Sequence, residues 1–175
     1  MGNDKDLDRD EFDAAALRTA LGRFATGVTI VTTRDRCGAP IGLTANSFNS
    51  VSLDPPLILW SLARKSVNLA IFEASDHFAV NILAADQRKL SDKFARPVDD
   101  RFDSVDWREG AGGAPVLEGT LASFECAAHR QLDGGDHVIF LGRVLRFRAM
   151  PAEHDKAPLV YYAGQYAKAD RQTAA

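Results

Sequence analysis

The sequence predicts a mainly β protein, an antiparallel barrel, closed or nearly closed, with a few peripheral helices. Three observations carry that prediction. About seven short segments are β-branched or alternate in polarity, which is the strand pattern. Gly, Pro or Asp bounds most of them. Helical spacing is confined to brief stretches, so a doubly wound sheet with its long crossover helices is disfavoured.

Taken in order, residues 1–10 are dense in charge and are expected to fray. Residues 11–168 read as one domain, and residues 169–175 as a disordered tail. Leu17, Leu21 and Phe24 follow helical spacing, so residues 11–24 read as an amphipathic helix, ended by Thr26 and Gly27. Strands follow at Val28–Thr33, Pro40–Ser47 and Leu57–Ser61. Asp54-Pro55-Pro56 enforces an extended turn, because a residue before proline avoids the helical region. Ser66–Phe72 reads as a short helix with Ser66 as its N-cap. His77–Leu83 is a strand with Phe78, Val80 and Ile82 on one face, and Asp86–Phe94 a second short helix.

From Arg96 to Pro115 the chain is polar and Gly-rich, the composition of a long loop. Ala122, Phe124, Cys126 and Ala128 then alternate with Ser123 and Glu125, the period of a half-buried strand. Asp133-Gly134-Gly135-Asp136 reads as a hairpin turn in which glycine supplies positive φ. The return strand, Val138–Arg148, places Leu145 and Phe147 opposite Arg146 and Arg148.

Composition narrows the function. The chain has 175 residues, 46% hydrophobic and 26% charged, with a net charge of −3. No basic field favours nucleic acid or an anionic membrane. Apolar runs such as Leu57–Leu62 are too short to span a bilayer. The opening Met-Gly-Asn-Asp-Lys-Asp lacks the apolar core of a secretory signal, so a cytoplasmic location is expected. Cys37 and Cys126 have no metal or CxxC spacing and read as reduced thiols. His77, His129, His137 and His154 lack zinc spacing, and no metal is expected. Asp99, Asp100 and Asp103 do not match a calcium loop. Gly110-Ala111-Gly112-Gly113-Ala114-Pro115 lacks the third glycine of a dinucleotide fingerprint and precedes no long helix.

Four elements carry chemistry. Thr44, Asn46, Ser47, Ser50 and Ser52 crowd a segment that otherwise patterns as a buried strand. Buried polar groups need partners, and a polar ligand on the strand would supply them; a Thr/Ser-rich edge strand reads the same way. Ser61-Leu62-Ala63-Arg64-Lys65-Ser66 runs from a strand end into a short helix and offers cations, a hydroxyl and free N–H groups to a phosphate. The plainer reading is a cap flanked by solvated basic residues. Gly135-Asp136-His137 follows the hairpin turn, where a histidine either reaches a bound ring or is merely a surface residue. Tyr161, Tyr162 and Tyr166 suggest an amphipathic platform, a packed strand or a dimer contact. Phe94 either walls the site or anchors its own helix.

Together these elements make the chain resemble the short-chain flavin reductases that serve two-component monooxygenases, such as the reductase partners of phenol and hydroxyphenylacetate hydroxylases. The resemblance runs from about Phe12 to Lys168. It includes Arg23-Phe24-Ala25-Thr26-Gly27-Val28-Thr29, Thr44-Ala45-Asn46-Ser47-Phe48, Ser50-Val51-Ser52-Leu53-Asp54-Pro55-Pro56, Ser61-Leu62 with Lys65-Ser66, and Gly135-Asp136-His137. One departure is Ala163 before Gly164, where the family often carries arginine.

The resemblance implies a homodimeric split β-barrel of the FMN-binding type, with flavin across the dimer groove and NADH stacked on its exposed face. Thr44, Ala45, Asn46 and Ser47 would line the isoalloxazine and ribityl. Ser61, Lys65 and Ser66 would hold the phosphate, with Leu62 and Phe94 completing the cofactor-binding set and His137 near the nicotinamide. FMN is the expected cofactor, FAD a possible one, and NADH the co-substrate. The implied activity is reduction of a loosely held flavin for a partner oxygenase. A flavin-storage protein and an oxidase resembling pyridoxamine-phosphate oxidase are the rival readings on the same barrel.

Overall fold

The helix expected over residues 11–24 is α1 (Ala14–Leu21), capped by the Asp13 carboxylate, which accepts from the Ala15 N–H at 2.8 Å. The computed structural model describes residues 13–96, 101–151 and 156–169. Of the segments expected to be disordered, 1–10 and 169–175, residues 1–10 and 170–175 lie outside the described residues, as do Asp99, Asp100 and His154.

The main sheet contains seven strands. In chain order they are β2 (Thr29–Arg34), β3 (Pro40–Ala45), β4 (Asn49–Leu53), β5 (Pro56–Ala63), β6 (His77–Ile82), β9 (Ala122–Gly134) and β10 (His137–Ala149). Their spatial order is β3-β2-β6-β9-β10-β5-β4, and every pairing is antiparallel. The two edges, β3 and β4, are consecutive in sequence yet unpaired, so the sheet rolls round without closing. The fold is the mainly β split barrel that the sequence predicts. A three-stranded sheet joins β1 (Thr26–Gly27) to the hairpin of β11 (Leu159–Tyr162) and β12 (Gln165–Lys168).

Alternation fills the barrel. On β5, Ile58, Trp60 and Leu62 are buried while Leu57, Leu59 and Ser61 are less so. Trp60 is fully buried; it stacks on Phe140 with centroids 4.7 Å apart and meets Phe72 edge-on at 5.0 Å. Phe78, Val80 and Cys126 complete this core. Each large apolar side chain so buried contributes about 1.5–3 kcal/mol. A second core lies outside the barrel wall, where Val28, Ile30, Leu83, Leu117 and Leu159 pack round Phe94 of α3 (Arg88–Ala95). Gly42 of β3 faces that ring: a Cβ there would stand 2.6 Å from Phe94 Cε1.

Several sequence expectations are corrected. The short helix α2 spans Leu69–Glu73, so Ser66 is not its N-cap; the Ser66 hydroxyl instead accepts from the Asn68 N–H at 3.3 Å. The stretch 96–115 is not wholly loop, since β7 (Trp107–Glu109) pairs with β8 (Pro115–Leu117). β4 was not foreseen, because as an edge strand it is mostly exposed and lacks an apolar face. Ser123 and Glu125, expected on a solvated face, are each 3% exposed. The 105–118 segment covers them, and Glu125 accepts from Arg108 at 2.9 Å and from the Ala111 N–H at 2.8 Å. At the β9–β10 turn only Gly135 has positive φ, at 74°.

Candidate functional site

The register brings Thr44 and Ala45 to one end of the β2–β3 pair. Thr29 opposes Ala45 there, while Arg34 opposes Pro40 at the other end. A cleft of about 310 Å³ opens at the first end, lined by Val28, Thr44, Ala45, Asn46, Ala95, Tyr161 and Tyr166. Thr44, Ala45 and Asn46 therefore share a cavity, and the C-terminal hairpin supplies its opposite wall. An adjoining cleft of about 460 Å³ shares Tyr161 and Tyr166 and adds Arg88, Asp92, Gly164 and Gln165. A larger cleft of about 740 Å³, at the Arg34 end, contains none of the predicted site residues.

Hydrogen bonding separates the groups free to meet a ligand from those already engaged. The Thr44 hydroxyl donates to the Ser91 carbonyl at 2.7 Å, so it is left only as an acceptor. The Ser47 hydroxyl accepts from the Ser61 N–H at 2.9 Å and donates to the Ser61 carbonyl at 3.0 Å. Asn46 is exposed; its amide N–H donates to Thr26 Oγ1 at 3.2 Å, and its carbonyl is unengaged among the described residues. Of the predicted polar set on this strand, Asn46 retains the most capacity to bind.

The second cluster sits where β5 leaves the sheet. His137 opposes Ala63 across the β5–β10 ladder, which puts it beside the Arg64–Ser66 turn. Arg64, read from sequence as a phosphate cation, is engaged elsewhere. Its Nε donates to Gly135 O at 2.8 Å and its Nη2 to Asp133 at 3.0 Å. Lys65 is exposed and makes no ion pair among the described residues. It is the free cation of the cluster, beside the Ser66 hydroxyl.

Asp136 accepts from His137 Nδ1 at 2.7 Å. A carboxylate only accepts, so Nδ1 carries the proton, and Nε2 has no partner among the described residues. The hydrogen bond from His137, followed by its charge, holds the Asp136 carboxyl below its ordinary value. The Gly135 N–H does the same for Asp133, with Arg64 second.

Two predicted residues are buried in the cores. Phe94 is 1% exposed and packs on Phe102 at a centroid distance of 5.0 Å, anchoring α3. Leu62 points into the barrel core. The sequence raises Tyr161 and Tyr166 as a platform, a packed strand or a dimer contact, but gives no sign of Ser91 and Asp92 beside them. The tyrosine cluster was the available signal; the approach of α3 to the hairpin is a tertiary contact without a local sequence mark.

A rolled antiparallel sheet with a filled interior and its open cleft on the outer lip defines a ligand-binding split barrel. The chain belongs to the flavin reductase-like domain family, whose model matches residues 21–170. It is 48% identical over 140 residues to a stachydrine N-demethylase reductase subunit of Rhizobium meliloti, a match covering 80% of this chain and 61% of that protein. It is 46% identical over 160 residues to the FMN reductase (NADH) SmoA of Agrobacterium fabrum, covering 91% and 88%. Among solved structures it superposes on the NADH:FAD oxidoreductase of Streptomyces globisporus in complex with NAD and FAD fragments. That match has a TM-score of 0.81 and 42% identity and covers 93% of each chain. The chain spans 44% and 61% of the length of two of the curated relatives it matches.

Proposed function

We propose that the protein is an NAD(P)H:flavin oxidoreductase that reduces FMN or FAD and supplies the reduced flavin to a partner monooxygenase component. The observation that carries this reading is an open cleft at Thr44–Asn46 on a flavin reductase-like barrel, followed by Ser47, whose hydroxyl bonds to Ser61 of the strand that leads to the exposed Lys65. The residues present fit a flavin. The cleft has apolar and aromatic lining and the unengaged Asn46 carbonyl, and Lys65 with Ser66 offers a cation and a hydroxyl to a phosphate. The relatives' names, an FMN reductase (NADH) and a reductase subunit, support the same chemistry.

Bound flavin would take a hydride from the reduced nicotinamide and carry two electrons onward. The chain's own residues bind and orient. Asn46 would present its amide to the ring edge, and Lys65 and Ser66 would hold the phosphate. His137, kept in one orientation by Asp136, would stand on the nicotinamide side. No side chain need move a proton for the hydride to pass, so the protein's contribution is alignment.

The reading includes a homodimer acting in the cytoplasm. None of the α1 residues is buried within the single chain. Leu21, Phe24 and Phe147 are 66%, 76% and 74% exposed, an apolar surface suited to a second copy.

The test is to mix purified protein with NADH and added FMN or FAD and follow the nicotinamide absorbance. NADH oxidation should depend on added flavin, the protein should lose flavin on dilution, and hydrogen peroxide should accumulate in air. A yellow protein that retains flavin through dialysis and reduces none that is added would favour storage or a substrate oxidase.

A further inference from the structure

Arg64 is the first residue beyond β5, next to Lys65 in the chain, yet its contacts run to the turn that carries His137. Its backbone N–H donates to Asp136 O at 2.9 Å, one step past the last ladder pair, Ala63 with His137. Its Nε donates to Gly135 O at 2.8 Å and its Nη2 to Asp133 Oδ1 at 3.0 Å. That same Oδ1 accepts from the Gly135 N–H at 2.8 Å. One arginine thus holds Asp133, Gly135 and Asp136, and Asp136 in turn holds the His137 ring.

The turn depends on such a hold. Residues 128–136 are all exposed, so few packed side chains fix them, and polar contacts set where the turn lies. On the other side of Arg64, the Ser66 N–H donates to Ala63 O at 2.9 Å and closes the turn that presents Lys65 and Ser66. The Asp136 carboxyl is held below its ordinary value chiefly by the His137 hydrogen bond, and the Lys65 charge adds a smaller effect of the same sign. The two turns are therefore neighbours, with Arg64 as the tie between them. An ion pair as exposed as Arg64–Asp133 adds little to stability, so the consequence of the tie is geometric.

We infer that Arg64 is a positioning residue: by tying the β9–β10 turn to the Lys65–Ser66 turn, it fixes His137 for the reduced nicotinamide. The inference rests on the flavin reductase reading and adds that Arg64 acts on NADH through His137, and not on the flavin phosphate.

The test compares Arg64→Gln, Asp133→Ala, His137→Ala and the double variant Arg64→Gln/His137→Ala. Each is assayed for unfolding temperature, for flavin Kd by fluorescence titration without NADH, and for NADH KM and kcat at saturating flavin. Arg64→Gln should raise NADH KM about 2- to 10-fold, with flavin Kd and unfolding temperature near wild type. Asp133→Ala should act in the same direction and more weakly, since the Gly135 carbonyl still receives Nε. These two substitutions change the net charge in opposite senses. A field acting on the anionic NADH would move KM up in one and down in the other, whereas loss of the tie raises it in both. The double variant should have the NADH KM of His137→Ala alone, because a positioning residue has nothing to act on once the ring is gone.

A raised flavin Kd with unchanged NADH KM would return Arg64 to the phosphate and overturn the inference. So would opposite KM shifts in Arg64→Gln and Asp133→Ala, Arg64 and His137 effects that simply add, or wild-type values throughout. If Arg64→Gln does not fold, Asp133→Ala and Asp133→Ala/His137→Ala decide by the same criteria. His137→Ala with wild-type NADH KM overturns the inference while NADH oxidation still depends on added flavin. A wild-type protein that neither binds flavin nor oxidises NADH with it overturns the underlying reading instead, a failure visible before any variant is made.

Discussion

One hydroxyl closes the split in the barrel: Ser47 Oγ both accepts from the Ser61 N–H, at 2.9 Å, and donates to the Ser61 carbonyl, at 3.0 Å. β4 has stopped pairing with β5 by this point, its last partner being Leu59, so the serine stands in for a missing strand residue. Ser47→Ala should therefore lower stability by about 1–3 kcal/mol, the cost of leaving partly buried backbone groups unpaired. Denaturant unfolding checks this beside a flavin titration. An unchanged midpoint with weakened flavin binding would make Ser47 a ligand rather than a closure.

Lys65→Ala should weaken flavin binding about 10- to 150-fold, the worth of a charge-assisted hydrogen bond of roughly 1.5–3 kcal/mol. Turnover at saturating flavin should change little, because uniform binding appears in KM. An unaltered flavin titration would remove the phosphate from this turn.

His137→Ala should lower the rate at limiting NADH while leaving flavin affinity close to wild type. Asp136→Asn should act in the same direction and more weakly, since the 2.7 Å bond to Nδ1 fixes the ring but does not touch a ligand. A variant indistinguishable from wild type at low NADH would return His137 to the surface.

The β9–β10 turn should loosen in acid. Asp133 and Asp136 both have carboxyls held below the ordinary value, Asp133 by the Gly135 N–H and then Arg64, Asp136 by His137. A depressed carboxyl stabilises the folded turn at pH above its unfolded value and loses that contribution as pH falls through the folded one. Amide exchange at Gly135 should therefore accelerate below the normal carboxylate range, and Asp133→Asn should flatten much of that dependence. Exchange that is equally fast at neutral pH would show that these carboxylates do not order the turn.

The two cysteines should differ sharply in reactivity. Cys37 is exposed, whereas Cys126 is fully buried and its thiol is pushed up to about 12, by burial first and by Glu125 second. A thiol reagent at mildly alkaline pH should modify one site per native chain and two after denaturation. Rapid native labelling of Cys126 would show that the barrel opens on the time scale of the assay.

Period-two alternation made β6 and β9 legible, and a glycine at the required positive φ marked the β9–β10 turn. The segment Thr44–Ser47 was legible as unusually polar, but its purpose was not. Composition cannot tell a hydroxyl that meets a ligand from one that meets Ser61 or Ser91 across the fold. Arg64 misled for the same reason, since its partners Asp133 and Gly135 are neighbours only through the β5–β10 pairing. β4 and β7 escaped notice because an edge strand and a three-residue strand carry too little periodicity. Glu125 sits on the outward face that alternation assigns it, yet a distant segment folds over it and Arg108 offsets its charge.

The stacked Trp60 and Phe140 and their neighbours pack the inside of the barrel, and the cleft at Thr44–Asn46 lies on its lip. A ligand in that cleft would rest on the outer surface, with the wall as a floor and not an enclosure. Arrival and departure then require no breathing of the sheet, and residence time is set by the contacts made at the lip. A solid barrel suits a molecule that is handed on after each turnover better than one kept for the life of the protein.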